Sequence, residues 1–235
     1  MAINALKFIT ALALTAVAAF PVGAPQTADI PDGAVIAGDV LSYCAGAVAD
    51  DGGDLLLAIT GGGSTDAGER YGDCLLVCAA SAVDTLETSG YIPPDGILNR
   101  IDLGRIKPMK IMSGDVNGDG KNEVSICAYK TANFHPVMAK RPYFFNISGY
   151  NLVPLWLGSR LSRPFSDYTL YDFDGDGADE LVSDEYLQNG DRVVAAYKWK
   201  GFGFELFAQS DAIDEASFVP AGQRKDRNYV LSIMR

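Results

Sequence analysis

Two short segments constrain this chain more than anything else in it. Lys110 to Tyr129 reads KIMSGDVNGDGKNEVSICAY, and Thr169 to Tyr186 reads TLYDFDGDGADELVSDEY. In each, an apolar run leads into an acidic, glycine-rich loop, and a second apolar run leads out. The loops start at Asp115 and Asp172, 57 residues apart. After the first loop, Val124, Ile126 and Ala128 point one way and Ser125, Cys127 and Tyr129 the other, which is the period of a β-strand. A fixed period with strands on both sides of each loop predicts tandem β units.

The likeness extends downstream. FFNISGYNL at 144–152 and KWKGFGFEL at 198–206 each read as aromatic strand, glycine turn and aromatic strand. Matching Phe145 to Trp199, Gly149 to Gly203, Tyr150 to Phe204 and Leu152 to Leu206 gives an offset of 54. One unit is therefore four strands: Met109–Gly114, Glu123–Lys130, Tyr143–Ile147 and Leu152–Leu157 in the first, and Asp167–Phe173, Glu180–Tyr186, Arg192–Lys198 and Phe204–Gln209 in the second. A weaker copy begins at residues 49–60, ADDGGDLLLAIT, where Asp50, Asp51 and Asp54 are too compressed to repeat the loop. Residues 74–79 and 84–88 are expected to supply its outer strands. GGGS at 61–64 reads as a flexible turn, and Tyr229 to Met234 as a strand of a further unit. No segment has a strong helical period. The fold class expected is all-β, a propeller-like array of about four four-stranded blades.

The loop spacing has a chemical reading. Calcium takes six to eight oxygen ligands in flexible geometry, and a short loop offers them at alternate positions. In the first loop these are Asp115, Asn117, Asp119, the backbone carbonyl of Lys121, and Glu123. In the second they are Asp172, Asp174, Asp176, the carbonyl of Ala178, and Glu180. Gly120 and Gly177 fall where the chain must turn sharply, and Gly118 and Gly175 relieve crowding two residues earlier. An EF-hand is excluded, because its twelfth position needs an acid and here holds Ile126 or Ser183. A polar hairpin turn is the other reading of one such loop. Two copies at matching places favour two calcium sites. The extra carboxylate predicts tighter binding at the second.

The segments DVNGDGKNEV and DFDGDGADEL resemble the calcium loops of FG-GAP/VCBS repeats, found in integrin-type β-propellers and many exported bacterial proteins. YKWKGFGFEL is similar to the outer strands of such blades. The resemblance covers about residues 105–210, with clear blades at about 105–160 and 161–210. It implies a calcium-stabilised propeller used in adhesion or in carbohydrate or protein binding, with the ten loop positions above as ligands. The family's ring has about seven blades. This chain has room for about four, so a small ring, an open arc, or an arc completed by another copy in a homo-oligomer are the alternatives.

The formal net charge of −11 argues against a nucleic-acid partner and against an anionic membrane surface. Residues 1–24 are expected to be an export signal, with Lys7 before the apolar run Phe8 to Phe20 and cleavage after Ala18 or Ala24. The other reading is a buried terminal strand or helix. Residues 25–235 would then form one propeller-like domain, secreted or held in the cell envelope, with no membrane span. Calcium outside the cell, at about millimolar level, would fill even a weak site. Cys44, Cys74, Cys78 and Cys127 are either disulfides between different strands or buried thiols.

The function expected is a non-catalytic binding, adhesion or scaffold module. The alternative is a polysaccharide-acting hydrolase or lyase on the same scaffold. Asp184, Glu185 and Asp191 suit that chemistry by residue type alone and are expected to form a solvated strand edge. His135, the single histidine, is expected in a surface loop, with no nucleophile motif beside it. Trp156, Trp199, Phe145, Tyr150 and Phe204 are expected in the core between blades rather than on a sugar-stacking face.

Overall fold

The computed structural model describes residues 30–49, 52–158, 160–220 and 229–234. The expected export signal at 1–24, and Asp50 and Asp51 of the compressed loop, lie outside the described residues.

The fold is all-β and antiparallel, built on three four-stranded sheets in chain order. The first holds β1 (Val40–Val48), β2 (Asp54–Thr60), β3 (Cys74–Ala79) and β4 (Ile97–Asp102). The second holds β5 (Pro108–Gly114), β6 (Glu123–Ala132), β7 (His135–Ser148) and β8 (Asn151–Leu157). The third holds β9 (Phe165–Tyr171), β10 (Glu180–Tyr186), β11 (Arg192–Trp199) and β12 (Phe204–Gln209). In each, strands pair in the order in which the chain makes them. A hairpin of β13 (Glu215–Pro220) and β14 (Tyr229–Met234) follows.

The sheets pack face to face. Leu55, Leu57, Ile59, Leu75 and Val77 of the first sheet bury against Ile111, Val124, Ile126, Tyr143 and Phe145 of the second. The opposite face of the second sheet offers Met112, Cys127 and Phe144 to Tyr168, Leu170, Leu181 and Tyr197 of the third. Val182, Val194 and Ala196 on the far face of the third sheet meet Ile213 and Phe218. A middle sheet is thus covered on both sides, which is why its second strand is buried from Glu123 to Ala128. Each large apolar side chain so buried contributes about 1.5–3 kcal/mol. The first strands also neighbour one another: β1 lies by β5, β5 by β9, and β9 by β13.

The outer face of the first sheet has a different cover. Residues 84–88 are not a strand; they belong to the helix α1 (Ser81–Ser89). Ala82 and Leu86, one turn apart, bury against Leu56, Ala58, Leu76, Cys78 and Ile92. Gly90 ends the helix in the left-handed region at φ 77°, its N–H donating to the Leu86 carbonyl. The fourth strand of this sheet is β4, and the first is β1. Gly63–Ser64, expected in a flexible turn, pair with Arg70–Tyr71.

The register corrects the downstream matching in both outer strands, the fourth strands included, where Leu152 matches Phe204 and Pro154 matches Leu206. Val124 faces Phe145 in the second sheet, and Leu181 faces Tyr197 in the third. The third strands therefore correspond at an offset of 52, not 54, and Phe145 matches Tyr197. A slip of two residues keeps each side chain on its own face, so alternation alone does not reveal it.

Phe145, Tyr150, Trp156 and Phe204 pack between sheets as expected, while Trp199 touches Phe204 of its own sheet. Phe144, Trp156, Trp199 and Phe204 form one cluster, with the Phe144 and Phe204 centroids 4.7 Å apart, while Phe145 is in the core between the first and second sheets. All four cysteines are free thiols. Among the described residues, no helix is long and apolar enough to cross a membrane.

Candidate metal centre

Each acidic loop joins the first strand of a sheet to the second. The first runs between β5 and β6, the second between β9 and β10. The opening aspartate organises both. Asp115 accepts backbone N–H bonds from Gly118 (2.7 Å) and Asp119 (3.2 Å) on Oδ1, and from Gly120 (2.7 Å) on Oδ2. Asp172 accepts from Gly175 (2.7 Å) and Gly177 (3.1 Å) in the same way. This wrapping needs left-handed backbone at two places, and φ is 76° and 82° at Gly118 and Gly120, and 77° and 93° at Gly175 and Gly177. Glycine alone takes such angles without steric cost. Asp119 and Asp176 each cap the N–H two residues on, at 2.8 and 3.0 Å.

The closing glutamates also agree. Glu123 accepts the Val116 N–H at 3.0 Å, and Glu180 the Phe173 N–H at 2.7 Å. Both carboxylates are buried, at 1% exposure each. Burial, opposed by the Val116 N–H and reinforced by the negative charges of Asp119 and Asp115, pushes Glu123 up to about 7. Burial raises Glu180 as well. Buried carboxylates gathered with other carboxylates are the donor chemistry of a hard cation.

The loops differ in how closely their donors gather. Asp172, Asp174 and Asp176 bring carboxylate oxygens within 4.8 Å of one another and could hold a metal ion. Among the described residues, this is the one such group of acidic, histidine or cysteine side chains. In the first loop Asn117 turns its amide to Glu123 Oε1 at 2.8 Å and its carbonyl oxygen to the Asp119 N–H. Lys121 is exposed there, while Ala178 is half-buried in the second loop.

Three residues that the loop pattern omits complete the setting. Lys198 reaches in from β11, its Nζ 2.7 Å from Asp174, 2.6 Å from Asp176 and 3.4 Å from Glu180. Hydrogen bonds to Asp174 and Asp176 raise the Lys198 pKa, and the same contact lowers that of Asp176. Asp179 binds the start of the first loop, and Asn122 donates to the Gly46 carbonyl at 2.6 Å. Their common place, one residue before each closing glutamate, is the signal by which the sequence could have paired them.

The acids outside the loops are placed differently from expectation. Asp184 and Glu185 are not a solvated edge, since both are buried. They lie on opposite faces of β10, a strand covered on both sides. Asp184 accepts from the Arg192 guanidinium and the Ser166 hydroxyl. Glu185 accepts from Tyr197 (2.7 Å), Ser183 (2.9 Å) and Arg163 (3.1 Å). Asp191 is exposed in a turn with Asn189, as expected. His135 is not in a loop. It begins β7, half-buried, with Nδ1 3.1 Å from Nη2 of the wholly buried Arg141. The β6–β7 hairpin is longer than its apolar core, which is why His135 falls inside a strand.

No protein-family model matches this chain, and no curated protein matches it.

Proposed function

We propose that this chain is an exported, calcium-binding, propeller-like protein that acts as a non-catalytic binding, adhesion or scaffold module. The observation that carries the reading is the common build of the two loops. In each, an opening aspartate gathers the N–H groups of two left-handed glycines, and a buried glutamate closes the loop. A turn that merely reversed the chain would need neither the buried glutamate nor the carboxylates between.

The holders in this reading are Asp115, Asn117, Asp119, the Lys121 carbonyl and Glu123, and Asp172, Asp174, Asp176, the Ala178 carbonyl and Glu180. Calcium would supply positive charge to each set. The chain's own groups do the rest: the glycines shape the loop, and Asp179 and Asn122 tie it to the preceding sheet.

Successive four-stranded sheets whose first strands neighbour one another support a propeller-like arrangement of FG-GAP/VCBS type. The helix α1 occupies the face on which a closing blade would pack, which supports an open arc over a small ring. Residues 25–235 form this unit in the proposal, and residues 1–24 direct export to the secreted or envelope compartment. The partner class is protein or carbohydrate.

Calorimetric titration of the purified protein with calcium tests the reading. Two calcium ions per chain are expected, falling to one in Asp115→Ala and one in Asp172→Ala. No uptake by the unaltered protein would overturn it.

A further inference from the structure

We propose that Lys198 is a tethered cation that holds the second loop when metal is absent and competes with calcium for it, making the second site the weaker one. The inference rests on the calcium reading of the loops. Three of the five expected donors of that loop, Asp174, Asp176 and Glu180, converge on one ammonium at 2.6 to 3.4 Å. That ammonium comes from β11, not from the loop. A single positive group is thus already set among the carboxylates.

Calcium needs its ligands at about 2.3–2.6 Å. An ion so close to Asp174, Asp176 and Glu180 leaves no room for a second cation on the same oxygens. Lys198 must therefore leave for calcium to enter. The route outward is short, because its Nζ already lies 4.9 Å from the centroid of the Phe207 ring, a half-exposed side chain on β12.

The first loop has no such device. No ion pair reaches Asp115, Asp119 or Glu123 among the described residues. The register shows why. Next to the Leu181–Tyr197 pair, on the loop side, stand Glu180 and Lys198; next to the Val124–Phe145 pair stand Glu123 and Asn146. An amide in place of an ammonium leaves the first site open to metal. The order of affinity is then the reverse of that expected from carboxylate count.

Two consequences have opposite sign. Removing the ammonium favours calcium in the second loop, and it leaves the metal-free loop with unrelieved repulsion among its carboxylates. A merely structural lysine would show the second effect without the first.

The test isolates the second site by working in Asp115→Ala protein and titrating calcium calorimetrically, with and without Lys198→Met. The added substitution is expected to tighten binding on the order of fivefold, the scale of one or two partly exposed ion pairs, and to lower the melting temperature in chelator. Lys198→Gln reads the same way should the methionine variant not fold. Equal or weaker binding in the folded variant overturns the role of Lys198 while the calcium reading stands. Absence of calcium uptake by both proteins, and by the chain with both loops intact, overturns the calcium reading and this inference with it.

Discussion

Asp179 accepts the backbone N–H of Asp115 at 2.9 Å and returns its own N–H to the Asp115 carbonyl at 2.6 Å. The second loop thereby grips the first residue of the first loop, across the boundary between two sheets. Gly114 makes the approach feasible, since a Cβ there would lie 2.5 Å from Asp179 Oδ2. Asn122 holds Gly46 of the first sheet in the corresponding place. Each loop is therefore stitched to the sheet before it.

Asp179→Ala leaves the buried N–H of Asp115 without this acceptor. The expected cost is about 1–3 kcal/mol, or about 2–4 °C in melting temperature for each kcal/mol. Asp179→Asn keeps an acceptor oxygen and is expected to cost less. Thermal unfolding in chelator checks the order. Equal melting temperatures for all three proteins would refute the stitch.

Metal-free protein is expected to gain stability as pH falls from 8 to 6.5. Glu123 sits at about 7 in the folded chain, raised from 4.5, so over this window the folded state takes up a proton that the unfolded chain does not. The gain is on the order of 1 kcal/mol from this residue. Glu180 and Glu185 are raised as well, and each adds stability of the same sign as pH falls through its own folded value. Saturating calcium should abolish the contribution of Glu123 by holding it ionised. Denaturant unfolding at the two pH values, with and without calcium, reads both effects. A loss of stability on acidification within this window contradicts the account.

Cys78 and Cys127 should resist alkylation in the native protein at pH 8. Both are buried, at 0% and 3% exposure, and burial pushes their thiols up to about 11 and about 12. The thiolate needed for reaction is scarce as well as inaccessible. Both should label within minutes once the chain is unfolded in denaturant. Mass spectrometry after a timed pulse distinguishes the two. Rapid native labelling of Cys127 would contradict the packing of the second sheet on the third.

Much of the second and third sheets could be read before the structure, because strand alternation and loop chemistry reinforce one another there. Glu180–Tyr186 and Phe204–Gln209 are strands at the boundaries expected. The first sheet was less legible. Its helix spans only Ser81–Ser89 and is rich in serine, threonine and valine, poor helix formers with just Ala82 and Leu86 buried to mark a stripe. The burial of Asp184 and Glu185 is not legible in the sequence, because composition does not reveal that both faces of β10 are covered. The place of Lys198 is hidden for a simpler reason. Its role depends on which residue stands opposite Glu180, and register is a tertiary fact that a two-residue slip conceals.

The most direct test of the central claim is the melting temperature of the purified protein in calcium and in chelator, beside that of Asp115→Ala plus Asp172→Ala. A rise of several degrees with calcium is expected in the unaltered protein, since a ligand at a hundred times its dissociation constant adds about 2.7 kcal/mol per site, and no rise is expected in the double variant. The same melting temperature with calcium and with chelator in the unaltered protein would mean that the two loops are acidic turns and not metal sites.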